Sequence, residues 1–206
     1  MFKRHFILAA VAASVACGAT NALAESNQVT GAGALNTSAS LDFRVNIPGV
    51  LRFRIGTTGV GNIDNIIFDV PAANVGDGTN VNATSGGDVA AGQVTVELFG
   101  NRSAINLSPT VPPGGLTNGV GDSIPYSEIL VSAATGDGGP PFGLSPNGAN
   151  LGAIATRNVP VTSGTKITNR NDVWTFVYDN SAGYPAGTYG GVNTNGSRVT
   201  WTASMP

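Results

Sequence analysis

The sequence predicts an all-β protein, a β-sandwich of roughly 7–10 strands with long glycine-rich loops. Apolar and polar residues alternate strictly in several stretches, which is the period of a half-buried strand. No apolar pattern of helical period persists beyond the first 24 residues. Only 11% of residues are charged and 29 of 206 are glycine, a composition typical of many turns between packed strands. Short strands at fairly regular spacing favour a sandwich.

The clearest alternation lies at the start of the predicted domain. Residues 41–47 read Leu-Asp-Phe-Arg-Val-Asn-Ile, with four apolar residues on one face and three polar residues on the other. Residues 51–55 repeat the pattern after Pro48-Gly49. Because Pro-Gly is turn chemistry, we expect these two strands to form a hairpin or a sharp corner.

Further strands are predicted along the rest of the chain. Asn195-Gly196 is the dipeptide of the type I′ turn, so a closing hairpin is expected between residues 187–192 and 197–204. Residues 173–179 are apolar on both faces and should form a central strand. The remaining candidate strands are residues 65–70, 93–99, 105–107, 124–133 and 159–167.

The first residues of the chain resemble an export signal. Two basic residues precede an uncharged apolar run of about eleven residues, and a small-x-small triplet ends at Ala24. The run is shorter than the roughly 20 residues that span a bilayer. We therefore predict that residues 1–24 are a signal peptide and that the protein reaches the cell surface through the periplasm. Lipid attachment at Cys17 is the alternative processing.

Cleavage after Ala24 would also remove His5 and Cys17, the only histidine and the only cysteine. Without a thiol the mature chain cannot be a disulfide scaffold. Its net charge would be about −4, because two of the ten basic residues lie in the removed segment and twelve acidic residues remain. With no basic run in the sequence, we expect no binding to nucleic acid.

Residues 25–38 are predicted to be an N-terminal extension, followed by the sandwich domain at residues 39–206. A free extended segment can add to the open sheet edge of another copy, where it gains main-chain hydrogen bonds and side-chain pockets. We take residues 28–36 as the candidate donor strand, with a disordered leader as the alternative. The candidate polymerisation residues are Val29, Gly31, Gly33 and Leu35.

The sequence predicts no enzyme, no catalytic residue and no cofactor. Nucleophilic catalysis usually needs a neighbouring base, most often His. Ser163 and Lys166 match a spacing of penicillin-recognising enzymes, but they lie in a β context without the partner motifs, which indicates a chance match. Glu97 and Glu128 could form a glycosidase carboxylate pair. We interpret both as solvated strand residues.

Four aspartates lie in the glycine-rich loops and could hold calcium. Their spacing does not match an EF-hand loop, and Asp beside Gly is ordinary turn chemistry, so no metal site is predicted. These residues are Asp77, Asp88, Asp122 and Asp137.

Two other side-chain sets have a binding interpretation and a structural one. The arginines of the first predicted hairpin could meet acidic glycans, but a solvated face that discourages edge-to-edge pairing is the preferred interpretation. Trp174 and Trp201 could stack on sugar rings, yet their alternation with apolar neighbours predicts that both point inward. The arginines are Arg44, Arg52 and Arg54.

The C-terminal sequence resembles the closing hairpin of bacterial pilin-like and spore-coat-U-like domains. The residues that carry the resemblance are Tyr184-Pro185-Ala186-Gly187-Thr188-Tyr189 followed by Arg198-Val199-Thr200-Trp201-Thr202-Ala203-Ser204. Residues 41–47 with Pro48 are similar to the first strand of these domains. The resemblance implies an immunoglobulin-like β-sandwich that polymerises by donor-strand exchange into a surface fibre.

The leading hypothesis is therefore a non-enzymatic structural subunit of a bacterial surface fibre, either a pilus-like filament or a biofilm matrix. Its partners would be other copies of itself and an assembly chaperone or outer-membrane assembly protein. The alternative is a secreted or periplasmic carbohydrate-binding or adhesin module that binds glycans. It would use the long loops at residues 71–91, 109–123 and 134–153, because long loops are often functional.

Overall fold

The computed structural model describes residues 27–136, 149–162, 164 and 166–206. The predicted signal peptide, residues 1–24, lies outside the described residues, as do Asp137 and Ser163. The chain divides into two units, Met1–Ile47 and Pro48–Pro206. The described part of the first unit, residues 27–47, contains no helix and no strand.

The described residues of the second unit form eleven strands, three single turns of 3-10 helix and no α-helix. Every strand pair is antiparallel, so the all-β prediction is confirmed. The 3-10 turns are Ala72–Asn74, Tyr126–Glu128 and Leu151–Ala153. The strands are Leu51–Ile55 (β1), Val81–Asn82 (β2), Gln93–Gly100 (β3), Ile105–Thr110 (β4), Leu116–Thr117 (β5), Ser123–Ile124 (β6), Ile129–Thr135 (β7), Ala149–Asn150 (β8), Arg157–Val159 (β9), Thr168–Tyr178 (β10) and Thr200–Ser204 (β11).

The largest sheet is built around β10. Its strand order is β1-β3-β10-β7-β8, and β2 pairs with the last residues of β10. The prediction of a central strand at residues 173–179 is confirmed, because β3 and β7 pair with the two sides of β10. The strand begins earlier than predicted. Thr168, Arg170 and Asp172 lie on its inner face and are buried, so polar side chains there interrupt the apolar alternation that predicts a strand.

Two smaller sheets complete the second unit. One has the order β11-β4-β9 and the other pairs β5 with β6. A single hydrophobic cluster draws residues from the large sheet and from the β11-β4-β9 sheet. The predicted strand at residues 93–99 is confirmed as β3, and its alternate residues Val94, Val96 and Leu98 are almost completely buried. The other deeply buried members include Ile105, Leu107, Val131, Val159 and Trp174.

The predicted hairpin between residues 41–47 and 51–55 is wrong. β1 pairs instead with β3, from Leu51 opposite Gly100 to Ile55 opposite Val96, and residues 41–47 form no strand. The side chain of Asn101 holds the backbone around the Pro-Gly pair instead. It accepts a hydrogen bond from the Val50 amide at 2.7 Å and donates one to the Pro48 carbonyl at 2.8 Å.

The predicted closing hairpin is also wrong, although its turn is present. Asn195 and Gly196 both have positive φ, 50° and 70°, and the Ser197 amide donates to the Thr194 carbonyl. Residues 187–192 form no strand, however, and β11 pairs with β4 instead. The local dipeptide determines the turn, but the partner of the following strand is determined by the core.

Two other predicted strands are reduced or displaced. Residues 65–70 keep only an isolated bridge between Ile67 and Ser85. In place of a strand at residues 159–167, β9 ends at Val159. Pro160 follows directly, and a proline cannot donate to a ladder.

Candidate functional site

A cleft of about 1040 Å³ opens in the second unit. Its floor comes from one end of the large sheet and is apolar, with the side chains of β1, β3 and β10 facing it. Such a floor favours an apolar occupant over an ionic one. The floor residues are Phe53, Ile55, Val94, Phe176 and Tyr178.

Two elements beside this floor leave main-chain hydrogen-bonding groups outside any ladder. β11 is the terminal strand of its sheet, and Thr200 and Trp201 line the cleft. Residues 62–70 also line it, and their one strand-like contact is the isolated bridge at Ile67. Half-buried side chains fix this second element to the core. An added strand can form hydrogen bonds with these main-chain groups while its apolar side chains cover the floor.

The two tryptophans meet beneath this cleft. Trp174 is completely buried in β10, as predicted. Trp201 also points inward, and its ring lies 4.6 Å from that of Trp174 between centroids, at an angle of 55°. Trp201 is half-buried and lines the cleft. One ring is therefore part of the core, while the other remains accessible to an occupant.

Two buried tyrosines lie at the cleft with altered acidity. Burial raises the pKa of Tyr126 to about 12, and its hydroxyl donates a hydrogen bond to the Gly196 carbonyl. Burial, followed by the nearby negative charge of Glu128, raises the pKa of Tyr178 to about 12. Both side chains are neutral at physiological pH, so the floor of the cleft stays uncharged there.

Asn180 fixes the loop that follows the first 3-10 turn. Its buried side-chain amide donates to the carbonyls of Asn74 and Thr79, at 2.6 and 3.2 Å, and accepts from the Gly76 amide at 3.2 Å. The residue has φ 53°, a left-handed conformation that Asn tolerates better than most residues. Sequence patterns alone do not predict this role, and their one signal of it is an Asn directly after the predicted strand at residues 173–179.

The N-terminal segment, residues 27–47, is exposed at every position. The predicted donor residues Val29 and Leu35 are 43% and 49% exposed. A bend includes Gly33, and the Thr37 hydroxyl donates to the Asn27 carbonyl at 2.8 Å. At Gly31 an added Cβ would lie 3.3 Å from the Leu35 side chain, so these predicted donor residues form a local loop.

The second half of this segment is more apolar and more exposed. No turn or bend occurs between residues 34 and 47. Large apolar side chains stand at alternate positions with little cover. They are Leu41, 66% exposed, Phe43, 85%, Val45, 81%, and Ile47, 79%. Since large apolar side chains are normally covered in folded proteins, a contiguous exposed set of this kind indicates an interaction surface.

The charged candidate residues on β1 and β3 make contacts with other side chains of the second unit. Arg54 and Glu97 lie directly opposite each other on β1 and β3, and the guanidinium holds the carboxylate with two contacts of 2.8 and 3.1 Å. Arg54 also reaches Asp88 at 3.3 Å. Arg52 lies over the ring of Phe99, 5.5 Å from its centroid. Glu97 therefore lies on the polar face of a strand with its side chain 41% exposed, as predicted, and it is also held in an ion pair.

The remaining candidate residues are placed separately. Glu128 is buried in a 3-10 turn rather than solvated on a strand, and the Ser181 hydroxyl donates to it. Arg44 belongs to the exposed N-terminal segment and not to a hairpin. Lys166 has a positive φ of 64°, while Ser163 of the same motif lies outside the described residues.

Asp77 and Asp122 make turn contacts, whereas Asp88 accepts the Thr95 amide at 2.7 Å and pairs with Arg54. Asp77 accepts the Thr79 amide at 2.8 Å and the Asn74 side chain at 2.9 Å, and these bonds lower its pKa. Asp122 accepts from the Asn118 side chain at 2.7 Å. In the described part of the chain, no three His, Cys, Asp or Glu side chains group closely enough to hold a metal ion.

Comparison of the chain with protein-family models, with curated proteins and with solved structures finds no match in any of the three. Within the described ranges, no helix is long and apolar enough to cross a membrane.

Proposed function

We propose that the protein is a non-enzymatic structural subunit of a bacterial surface fibre that polymerises by donor-strand addition. In this proposal it is exported, the unit from Pro48 onward is an immunoglobulin-like β-sandwich, and the N-terminal segment adds a strand to another copy. Residues 28–36, with Val29, Gly31, Gly33 and Leu35, are the donor strand that the sequence nominates. An assembly chaperone or outer-membrane assembly protein would protect the segment before polymerisation.

One observation carries this proposal. The N-terminal segment is exposed at all of its described residues and pairs with no strand, while the second unit has an apolar cleft bordered by an edge strand. Each feature alone is a liability, because exposed apolar residues and open sheet edges both promote association. A contact between copies that joined them would satisfy both at once.

Negative-stain electron microscopy of the exported protein tests the proposal. The full sequence is expressed with its own first 24 residues, and mass spectrometry establishes the N-terminus of the product. Filaments from the exported protein, and none from a version lacking residues 25–38, would support donation by the nominated segment. Monodisperse compact particles from both versions over a wide concentration range would refute the fibre function.

A carbohydrate-binding or adhesin module is the second candidate function. The cleft is lined by Tyr184, Tyr189 and Trp201 as well as by parts of the long loops, and aromatic rings are suited to stacking on sugar faces. Glycan-array binding that Trp201→Ala removes, by a protein that stays monomeric, would favour this function. Filaments with no glycan binding would exclude it.

A further inference from the structure

The part of the N-terminal segment with the stronger donor features is residues 41–47. Residues 27–37 close into a local loop through the Thr37–Asn27 hydrogen bond and contain a bend. Residues 41–47 contain neither, and their four apolar side chains are each at least 66% exposed. Their spacing of two residues places all four on one face of an extended strand.

The cleft is suited to an occupant of this pattern. Its apolar floor can cover one face of a strand, while β11 offers an edge for main-chain hydrogen bonds. Alternating Asp42, Arg44 and Asn46 would then face solvent. A strand that carried charges on both faces would leave charged groups on the apolar floor, which is costly without partners.

The chain enters the second unit at one end of the large sheet, and the floor of the cleft lies at the other end. The chain enters this unit at Pro48, held by Asn101 beside the pair formed by Leu51 and Gly100. The floor residues Ile55 and Val94 belong to the opposite ends of β1 and β3.

The two ends of β11, in the β11-β4-β9 sheet, lie at the same two ends of the unit. An added Cβ at Gly100 would lie 2.8 Å from Met205, just beyond the last residue of β11. The cleft is lined by Thr200 and Trp201, at the first residues of β11. Entry of the chain and opening of the cleft therefore lie at opposite ends of the unit.

We infer that residues 41–47 of one copy insert into the cleft of a second copy, beside β11, and that the copies join head to tail. This inference rests on the proposed fibre function and replaces residues 28–36 with residues 41–47 as its donor strand. Contacts between two different surfaces do not form a symmetric two-fold dimer, and they extend into a linear polymer when the rotation between copies does not close a ring. The segment is about 23 Å long when extended.

A matched pair of aspartate substitutions tests the inference. Val45→Asp places a charge on the inserted face, and Asn46→Asp places the same residue on the solvent face. Residues 45 and 46 form no strand and are exposed, so neither change should impair folding of the second unit, which far-UV circular dichroism can verify. We expect Val45→Asp to weaken association at least about a hundredfold by sedimentation velocity, because a charge on an apolar floor costs several kcal/mol. Asn46→Asp should polymerise like the unaltered chain.

Single-cysteine variants report the contact directly. In a Cys17→Ser background, Val45→Cys and Val192→Cys copies are mixed and treated with a short bifunctional maleimide. Val192 lines the cleft and is 73% exposed. The inference predicts a covalent dimer in the mixture and none from either variant alone. A double variant whose cross-link stays within one monomer would overturn it.

The outcomes separate this inference from the proposed function. Polymers that persist in Val45→Asp but disappear when residues 28–36 are deleted would overturn the inference and leave the fibre function standing. Polymers lost in Val45→Asp but retained after that deletion would support the inference. Monomers from the unaltered protein at every concentration would overturn both.

Discussion

The rings of Trp174 and Trp201 lie 4.6 Å apart between centroids, with one ring sealed in the core and the other open to the cleft. The indole nitrogen of Trp174 is buried without a hydrogen-bond partner in the described part of the structure. Packing therefore holds Trp174 in place, and the ring of Trp201 is one of the groups packed against it. A tilted aromatic pair adds about 0.5–1.5 kcal/mol to the burial of each ring.

Trp201→Ala should destabilise the second unit by about 2–4 kcal/mol. The substitution removes half-buried aromatic area and the aromatic pair, and it exposes Trp174 to water from the cleft. Trp201→Phe retains a ring and should cost less than about 1.5 kcal/mol. Urea unfolding measures both changes. Equal losses for the two variants would contradict a role for ring packing and would indicate that the indole of Trp201 itself is needed.

The side chain of Asn180 gives the second prediction. Asn180→Gly keeps a residue that tolerates φ 53° but removes the amide, leaving the carbonyls of Asn74 and Thr79 without this donor. We expect a loss of about 2–3 kcal/mol in the free energy of unfolding. Asn180→Ala should lose about 1 kcal/mol more, because Ala also disfavours the left-handed conformation.

Limited proteolysis distinguishes the local effect of Asn180 from a general one. The loop at residues 74–80 should be cleaved faster in both variants, under conditions where the rest of the second unit resists protease. Unchanged cleavage in this loop, together with a loss of global stability, would show that Asn180 acts elsewhere.

The sequence predicts the individual strands better than their partners. Alternation identifies β1 and β3 because one face of each is apolar, and the double apolar face of residues 173–178 identifies a central strand. Partners depend on contacts between residues far apart in the chain. Asn101 diverts the chain after Pro48, and β11 pairs with β4 across about ninety residues of sequence.

For the candidate site, too, the sequence indicates an element but not the surface that it contacts. The alternation at residues 41–47 is as strong as that of any strand in the chain, so the sequence predicts a strand there. An alternating pattern indicates that one face needs cover, but it does not indicate which surface provides the cover. The cleft itself gave no local signal, because its floor residues are ordinary inward-facing residues of three separate strands.

The Arg54–Glu97 pair predicts a modest loss of stability in acid. The hydrogen bond from the Arg54 guanidinium holds the pKa of Glu97 below its usual value of 4.5. A carboxyl whose pKa is lower in the folded state contributes stability above its unfolded pKa, and this stability disappears as pH falls through the folded value. Since Glu97 is 41% exposed, the contribution should be at most about 1 kcal/mol.

Glu97→Gln isolates this contribution. The variant should be less stable than the unaltered protein at pH 7, and the difference should vanish as pH falls well below 4.5. Added salt should also reduce the difference at pH 7, because the pair is partly exposed. A difference that stays constant across the acid range would show that the effect comes from packing and not from charge.

The two buried tyrosines predict a loss of stability in alkali. Burial raises the pKa of Tyr126 and of Tyr178 from 10.0 to about 12. The folded state therefore holds these protons more tightly than the unfolded chain does. Their contribution is fully present below pH 10 and is lost as pH rises from 10 towards 12. Each tyrosine could contribute up to about 2–3 kcal/mol over that interval.

Tyr126→Phe and Tyr178→Phe test the alkaline prediction one phenol at a time. At pH 8, Tyr126→Phe should be about 1 kcal/mol less stable than the unaltered chain, because it loses the hydrogen bond to the Gly196 carbonyl. Its stability should then fall less steeply with pH, so the two curves converge as pH approaches 12. Urea unfolding at several pH values supplies the curves, and phenolate absorbance reports the titration. Parallel curves would mean that neither phenol is held neutral by the fold, and that the alkaline loss arises from other groups.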